Sequence, residues 1–430
     1  MTRLRKFSPI SNVTSIHKEF LKWVGFSIVI GTIVGTASAF LLASLHWATH
    51  YREANKTIIW LLPVAGLFVG LLYHYYGQTV AKGNNLLLDE INTPKKMIPF
   101  RMAPFVFIGT VASHLFGASV GREGTAVQIG GAIADQFSGW FNVNKQDRKI
   151  LILMGISSGF AGLFGTPLAA AVFALEVLFI GKIKYNALLP CLLVAVISNA
   201  ISIELTHYLH IPHTHYTIGL IPKLNAISFL WSLVVGILFG IVSTFFSKGI
   251  HFFSQFSKRI QYPPLRPVIG GMAIAILVYF IGTKYIGLGI PTLLESFVNT
   301  MNPYDFAVKI ILTTFCIAFG FKGGEVTPLF FIGATLGSAL SLFVPLPIGL
   351  LAGMGFVAVF SGATNTPIAC TLMGIELFGI ESGVYIAIAC ITAYLFSGHT
   401  GIYSSQIVGI SKSDKYTTEE GAKLNEIHRE

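Results

Sequence analysis

Residues 121–125 read Gly-Arg-Glu-Gly-Thr, and residues 323–328 read Gly-Gly-Glu-Val-Thr-Pro, each inside strongly apolar sequence. In both motifs a glutamate stands beside glycine and two positions before a threonine. An ionisable group costs roughly 3 kcal/mol to insert into hydrocarbon, and intramembrane carboxylates therefore mark functional pathways. The repeated motif predicts a polar pathway through a lipid bilayer.

A second pair of segments indicates an internal duplication. Phe-Ala-Gly-Leu-Phe-Gly-Thr-Pro at 160–167 corresponds to Phe-Ser-Gly-Ala-Thr-Asn-Thr-Pro at 360–367, and the register continues from Glu176 to Glu376. We therefore expect four segments: a cytoplasmic amino-terminal segment (1–22), a first membrane repeat (23–215), a second membrane repeat (216–411) and a short polar cytoplasmic tail (412–430).

The composition indicates the fold class independently. Hydrophobic residues make up 53% of the chain and charged residues 11%, with a mean hydropathy of +0.70, whereas soluble domains contain about 25% charged residues. We therefore predict an all-α polytopic membrane protein. Apolar runs near the roughly 20 residues that span a bilayer lie at 24–46, 58–73, 150–181, 187–203, 226–247, 267–283 and 378–397.

Other apolar segments are too short, or too interrupted by glycine and proline, to be simple spans: 103–120, 126–134, 328–345 and 347–362. Discontinuous helices in corresponding halves are where transporters bind their ions. We therefore expect the functional site at helices that stop within the membrane.

The net charge of +10 (29 basic and 19 acidic residues) does not indicate nucleic-acid binding, because the basic residues are scattered through short loops. The positive-inside bias places the amino terminus in the cytoplasm, since the first apolar run is preceded by Arg3, Arg5, Lys6, Lys18 and Lys22. The cysteines lack CxxC spacing, and we predict neither a metal site nor a cofactor. A solvated loop is favoured over a metal or pH-sensing site for His207, His210, His213 and His215.

Glu123 has the surroundings of a gate. Glycines flank it and an apolar helical segment follows from Ala126, so free N–H groups at a helix start can attract an anion. An ionised Glu123 can occupy that anion site, and a protonated Glu123 can leave it to a permeating anion. The alternative is a glutamate that only caps its helix, and the second copy of the motif argues against it.

These motifs resemble those of the CLC family of anion channels and proton-coupled antiporters. Gly-Arg-Glu-Gly (121–124) matches the family's gating segment, and Phe-Gly-Thr-Pro-Leu-Ala (164–169), Gly-Glu-Val-Thr-Pro (324–328) and Tyr403 follow in the family's order. The resemblance extends from about residue 20 to about residue 410. It implies a CLC-type fold of two inverted helical repeats with several discontinuous or half-spanning helices, and a homodimer with one pathway per subunit. The short polar tail from Lys412 to Glu430 predicts no carboxy-terminal CBS domains.

Departures from the chloride-type pattern resemble the fluoride-transporting subgroup of the family. Asn84 stands where chloride-type members have a chloride-coordinating serine, and Thr125 replaces the usual proline. The segment 325–327 (Glu-Val-Thr) lacks the usual central phenylalanine, and Val177 stands where chloride antiporters have an internal proton-transfer glutamate. Fluoride is small and tightly hydrated, so its binding site must offer short, strong hydrogen-bond donors.

The resemblance assigns gating and proton carriage to Glu123, and makes Glu325 a candidate second proton carrier or field-shaping residue. The predicted ion-binding residues are Asn84, Gly121, Arg122, Gly124, Thr125, Val326, Thr327 and Tyr403. Structural alternatives stay open for some of them: a loop or helix cap for Asn84, an interfacial or packing position for Tyr403, and a bond back to its own helix for Thr327. For Glu325 the alternative is a solvated or ion-paired position on the cytoplasmic side, with Lys322 close by.

The predicted function is a secondary active transporter, not an enzyme: a fluoride/proton antiporter of the plasma membrane, in a bacterial inner or cell membrane. Fluoride, protons and the bilayer are the predicted partners, without nucleic acid. A chloride/proton antiporter or an uncoupled anion channel on the same fold is the alternative. A membrane enzyme or receptor is not favoured, because the sequence has no nucleophile with paired acids, no metal motif and no phosphate-binding loop.

Several polar and glycine residues are predicted to be architectural. Glu176 and Glu376 end equivalent segments and fit structural hydrogen bonds, and His114 fits a hydrogen-bonded core position. Pairs with GxxxG spacing, which allows close helix packing, are Gly31 and Gly35, Gly66 and Gly70, and Gly236 and Gly240.

Overall fold

The computed structural model describes residues 9–212 and 214–427, so Arg3, Arg5, Lys6 and His213 lie outside the described residues. The helices are α1 (Pro9–Ala54), α2 (Leu62–Tyr75), α3 (Asn84–Asn92), α4 (Met102–Leu115), α5 (Glu123–Trp140), α6 (Lys145–Phe164), α7 (Pro167–Glu176), α8 (Leu188–Tyr208), α9 (Ala226–Lys258), α10 (Leu265–Ile281), α11 (Ile290–Glu295), α12 (Asp305–Ala318), α13 (Val326–Leu340), α14 (Ile348–Thr364), α15 (Pro367–Phe378) and α16 (Gly383–Phe396). Two short strands, β1 (Phe179–Ile180) and β2 (Ile407–Val408), pair in parallel.

Helix lengths confirm a membrane fold with discontinuous helices. Within the described residues, the segments long and apolar enough to cross a bilayer are Ile16–Ala54, Lys56–Tyr75, Tyr185–Tyr208 and Ala226–Lys258. By contrast, α4 and α12 contain 14 residues and α13 contains 15. At 1.5 Å per residue these helices measure about 21–23 Å, less than the roughly 30 Å hydrocarbon core.

The expectation of one spanning run at 150–181 is wrong. Gly165 adopts a left-handed conformation (φ +83°) at the end of α6, and Pro167 starts α7. In the second half, Asn365 (φ +59°) and Pro367 break the chain between α14 and α15 in the same way. A proline without an N–H is suited to a first helical turn and cannot continue the preceding helix. The Thr-Pro pairs therefore divide each long apolar run into two helices.

The same packing order recurs in the two halves. α1 packs on α8 and α5 on α6, as α9 packs on α16 and α13 on α14. The GxxxG pairs lie at such contacts, as predicted: Gly31 and Gly35 face α8, Gly66 and Gly70 face the start of α10, and Gly236 and Gly240 face α16. Because glycine has no side chain, these helix backbones can approach closely.

The closest helix crossings are glycine against glycine, again once in each half. A Cβ atom added to Gly130 of α5 would overlap the carbonyl of Gly155 of α6, and one added to Gly333 of α13 would overlap the carbonyl of Gly355 of α14. These crossings fix the positions of α5 and α13, whose amino-terminal ends form the site described below.

Glu176 and Glu376 have the predicted structural role. Glu176, at the end of α7, accepts hydrogen bonds from Ile368 N (3.1 Å) and Ala369 N (2.8 Å) in the first turn of α15. Glu376 of α15 reciprocally accepts bonds from the Leu168 and Ala169 backbone in α7. Each carboxylate satisfies N–H groups that the helix start leaves free, so α7 and α15 lie antiparallel and join the two halves.

The carboxy-terminal segment packs against the helices instead of extending away from them. Ser405 N donates to Asn85 Oδ1 at 3.0 Å, and Lys423 Nζ lies 2.6 Å from Asp89 Oδ1. Both contacts hold α3, and Lys412 Nζ donates to carbonyls at the end of α16. The tail thus fixes the helix whose first residue is the predicted ion-binding Asn84.

Candidate functional site

The two glutamate motifs meet at the starts of α5 and α13. Gly121 N donates to Gly324 O at 2.5 Å and Gly324 N donates to Gly121 O at 2.8 Å, forming an antiparallel bridge. Glycine is required here because a Cβ on Gly324 would lie 2.6 Å from Gly124 N, and Gly323 has φ +156°. The bridge brings the free N–H groups of two short helices to one point.

Glu123 is fully buried at this point. Its Oε2 accepts a hydrogen bond from Thr327 N at 3.0 Å, and the Thr327 hydroxyl lies 2.7 Å from Oε1 and 2.6 Å from Oε2. Arg122 Nε lies 3.5 Å from Oε1. An amide at a helix start and a hydroxyl are the donors that bind a small anion. The Glu123 carboxylate therefore fills an anion site on the second half of the chain.

This arrangement corrects one sequence expectation. We expected the Glu123 carboxylate at the start of its own helix, but its strong donors belong to Thr327 in α13. Thr125, predicted to bind the ion, shares a hydrogen bond of 2.7 Å with the hydroxyl of Thr110 in α4. This contact joins α5 to α4, and ion binding by Thr125 stays a prediction.

Asn84, Glu325 and Tyr403 lie together on the side of the molecule where α1 begins. A cavity of about 190 Å³, here called the Asn84 cavity, is lined by Asn84, Gln128, Lys322, Glu325, Tyr403 and neighbouring residues. Asn84 Oδ1 and Glu325 Oε2 are buried without a hydrogen-bond partner among the described residues. A buried polar atom without a partner is costly, so this cavity is suited to a polar guest.

Three of the predicted ion-binding residues have no polar side chain and offer only main-chain atoms to an ion: Gly121, Gly124 and Val326. Gly124 allows close approach, since a Cβ there would lie 3.0 Å from Asn84 Nδ2. Val326 is buried as the first residue of α13. Asn84, which lines the cavity, thereby lies against the start of α5, next to Glu123.

The structure adds Lys322 and Gln128 to the residues that line the Asn84 cavity. Lys322 Nζ lies 4.0 Å from the centre of the Tyr73 ring, and no carboxylate lies within 4.0 Å of it among the described residues. The predicted alternative of a Lys322–Glu325 ion pair is therefore wrong. In the sequence, Lys322 and Gln128 are each a single polar side chain in an apolar segment. That pattern does not show which cavity the side chain faces.

A second cavity lies on the opposite side, where α1 ends. This Arg122 cavity, of about 270 Å³, is lined by Arg122, His46, Glu53, Thr214, Tyr216 and neighbouring residues. Arg122 adjoins Glu123 on this side, and Glu325 approaches the site from the Asn84 cavity. The Glu123–Thr327 contact therefore stands between two cavities that open on opposite faces.

Buried basic groups surround the bridge. His114 is buried with Nε2 3.3 Å from Gly121 O, in agreement with its predicted core role. Arg52 Nη1 donates to His114 O at 2.8 Å, and fully buried Lys309 donates to the carbonyls of Tyr285 and Gly287. Lys309 is held by carbonyl oxygens, and Arg52 has both a carbonyl partner and the Glu53 carboxylate 3.9 Å away. Basic side chains close to the bridge favour an anion there.

Comparison with known proteins agrees with this architecture. The family model described as "Voltage gated chloride channel" matches residues 65–398. The chain is 50% identical over 414 residues to a "Chloride/fluoride channel protein" from Pseudomonas syringae pv. tomato, covering 94% of this chain and 90% of that relative.

Solved structures give the same result. The crystal structure of a CLC-type fluoride/proton antiporter superposes with a TM-score of 0.86 and 37% identity, covering 90% of this chain and 98% of that chain. The structure of a slow cyanobacterial Cl⁻/H⁺ antiporter superposes with a TM-score of 0.75 over 87% of this chain and 94% of that chain, at 18% identity, and shows the shared fold. The chain belongs to the CLC family of membrane anion transporters.

Proposed function

We propose that this protein is a fluoride/proton antiporter that exports fluoride in exchange for inward-moving protons. One observation carries the proposal. The Glu123 carboxylate accepts hydrogen bonds from the Thr327 N–H and hydroxyl, which are donors suited to an anion, and this contact lies between two cavities. The similarity to a fluoride/proton antiporter structure supports the choice of ions.

The proposed cycle follows from the charge of Glu123. Protonation from the Arg122 cavity neutralises the carboxylate and weakens its bonds to Thr327, because hydrogen bonds to charged acceptors are the stronger ones. Fluoride from the Asn84 cavity then takes the Thr327 donors. Release of the proton toward the Asn84 cavity restores the carboxylate, which displaces fluoride toward the Arg122 cavity. Glu325, near the proton's exit, serves as a second proton carrier or shapes the local field.

The residues of the Asn84 cavity favour fluoride over chloride in this proposal. Asn84 supplies an amide, Tyr403 a phenol and Thr327 a hydroxyl, and each is a short, strong donor. A small anion loses a large hydration energy on entering the pathway, and these donors offset that loss better than apolar groups would. Chloride, which is larger and less tightly hydrated, gains less from them.

Replacing Thr327 with valine is expected to weaken fluoride binding. Valine has the shape of threonine without the hydroxyl, and a lost hydrogen bond to a charged group costs about 1.5–3 kcal/mol. We expect the apparent KM for fluoride to rise roughly 10- to 100-fold, measured by a fluoride electrode on proteoliposomes. Thr327→Ser, which keeps the hydroxyl, is the control. Equal KM values for the valine and serine proteins would contradict the role of this hydroxyl.

Replacing Lys322 with methionine is expected to weaken fluoride uptake from the Asn84 cavity. Methionine keeps an unbranched apolar chain against Gly109 and Tyr73 and removes the positive charge. We expect KM for fluoride on this side to rise roughly tenfold, which corresponds to about 1.4 kcal/mol of lost attraction. Lys82→Met is the matched control, since Lys82 lines the same cavity but is exposed and pairs with Asp89. An unchanged KM in Lys322→Met would exclude the charge as an attractor.

The deciding experiment measures flux from proteoliposomes loaded with fluoride or chloride, under an imposed pH gradient and with voltage clamped by a potassium ionophore. Fluoride driven against its own gradient, with little chloride movement, is the expected result. Comparable proton-driven chloride movement would instead indicate a chloride/proton antiporter. Fluoride flux indifferent to the pH gradient would indicate a channel, the word in the name of the Pseudomonas relative.

The assembly and location are part of the proposal. We infer a homodimer with one pathway in each subunit, in the plasma membrane of a bacterial cell, where export would confer fluoride resistance. The amino terminus and the tail face the cytoplasm, and the two repeats divide between residues 215 and 216. The Asn84 cavity then opens to the cytoplasm and the Arg122 cavity to the outside.

A further inference from the structure

Two histidines face each other on α1 at the Arg122 cavity. His46 and His50 are one helical turn apart, with ring centroids separated by 4.3 Å and Nε2 atoms by 3.0 Å. Both side chains line the cavity, and His50 is exposed. At this separation one ring donates its N–H to the lone pair of the other, so the two Nε2 atoms are directed at the same point.

This separation is close to that of two imidazoles bound to one metal ion. With Zn–N bonds of 2.0–2.1 Å and a tetrahedral angle, the two nitrogens lie about 3.3 Å apart. An opening of about 0.3 Å would admit the ion once the shared proton is transferred from Nε2 to Nδ1 of its ring, which leaves a lone pair on each Nε2. Histidines four residues apart on one helix face are the spacing used by HExxH metal sites.

One carboxylate and one opposing positive charge lie near the two histidines. Glu53 lies one turn beyond His50, lines the same cavity, and has a half-exposed side chain whose cationic neighbour Arg52 is 3.9 Å away. Arg122 opposes a cation here, but the Glu123 carboxylate, 3.5 Å from its Nε, offsets part of that charge. No group of three or more His, Cys, Asp and Glu side chains placed to hold a metal occurs in the described part of the chain. Water would therefore complete the coordination.

We propose that His46 and His50 form a binding site for a borderline divalent cation such as Zn²⁺ or Ni²⁺ at the Arg122 cavity. Imidazole selects these ions over Mg²⁺ and Ca²⁺, which prefer oxygen ligands. A bound dication stands beside Arg122 and Glu123, where it obstructs the path between the cavity and the gate. The binding itself is independent of which anion the protein transports.

The test is calorimetric titration of ZnCl₂ into the untagged, full-length protein in detergent. We expect Zn²⁺ to bind the wild type and His17→Ala alike, and His46→Ala and His50→Ala at least tenfold more weakly. His17 is the matched control because it is exposed on the same helix and has no histidine one turn away. The double variant His210→Ala/His215→Ala checks the other histidine-rich segment, whose Ile211, Pro212 and Thr214 line the same cavity.

Some outcomes would overturn the proposal. Equal Zn²⁺ affinity of wild type and His46→Ala would do so, as would loss of binding only in the His210/His215 variant. Magnesium that competes with Zn²⁺ at similar concentrations would also contradict an imidazole site. In proteoliposomes, Zn²⁺ added on the side where α1 ends is expected to slow ion flux through the wild type and not through His50→Ala. Equal Zn²⁺ sensitivity of these two proteins would contradict the site as well.

Discussion

Glu123→Gln is expected to abolish proton-driven fluoride transport. Glutamine has nearly the same size as glutamate and keeps one oxygen to accept the Thr327 hydrogen bonds. It cannot exchange a proton, and its neutral amide has no charge with which to displace fluoride. The variant therefore lacks the group that couples proton movement to fluoride movement.

The measurement is fluoride accumulation in proteoliposomes under an imposed pH gradient. The Glu123→Gln protein should let fluoride move only down its own gradient, without any response to protons. Glu381→Gln serves as the control because Glu381 is an exposed acid outside both cavities. If Glu123→Gln proteoliposomes still concentrated fluoride when given a pH gradient, the proposed gate would be wrong.

Gly333→Ala is expected to prevent the protein from folding stably. A Cβ at this position would overlap the carbonyl of Gly355, which is backbone and cannot rotate away. α13 would have to separate from α14, and overpacking of this kind costs about 3 kcal/mol or more when backbone must shift. Because α13 carries Thr327 at its amino-terminal end, the change would also displace the Glu123 donors.

Thermal unfolding and gel filtration in detergent measure this effect. Gly333→Ala should show a lower Tm and a smaller fraction of monodisperse protein than wild type. Gly25→Ala is the matched control, since a Cβ on Gly25 in α1 meets nothing within 4 Å. That substitution should leave Tm unchanged or raise it slightly, because alanine favours the helix by about 1 kcal/mol. Equal Tm values for the two variants would show that the Gly333–Gly355 crossing tolerates a side chain.

Much of the site could be predicted because its residues lie in short local motifs. Glu123 was identifiable from its glycines and from the second Glu-x-Thr copy, and Thr327 from its place in that copy. The hydrogen bond between Thr125 and Thr110 could not be predicted, because a motif gives spacing along the chain and not the direction of a side chain. Lys322 was noted beside Glu325, but the distance along the chain suggested an ion pair that the folded backbone does not form.

The sequence by itself determined an all-α membrane protein of the CLC type with discontinuous helices, and its repeated motif singled out Glu123. These properties depend on composition and on neighbouring residues. Only the tertiary structure decided that the carboxylate of Glu123 binds Thr327 of the other half, and that the Asn84 cavity and the Arg122 cavity open onto opposite faces. Such contacts join residues about 200 positions apart, and they form because the glycine crossings and the Gly121–Gly324 bridge fix two short helices end to end.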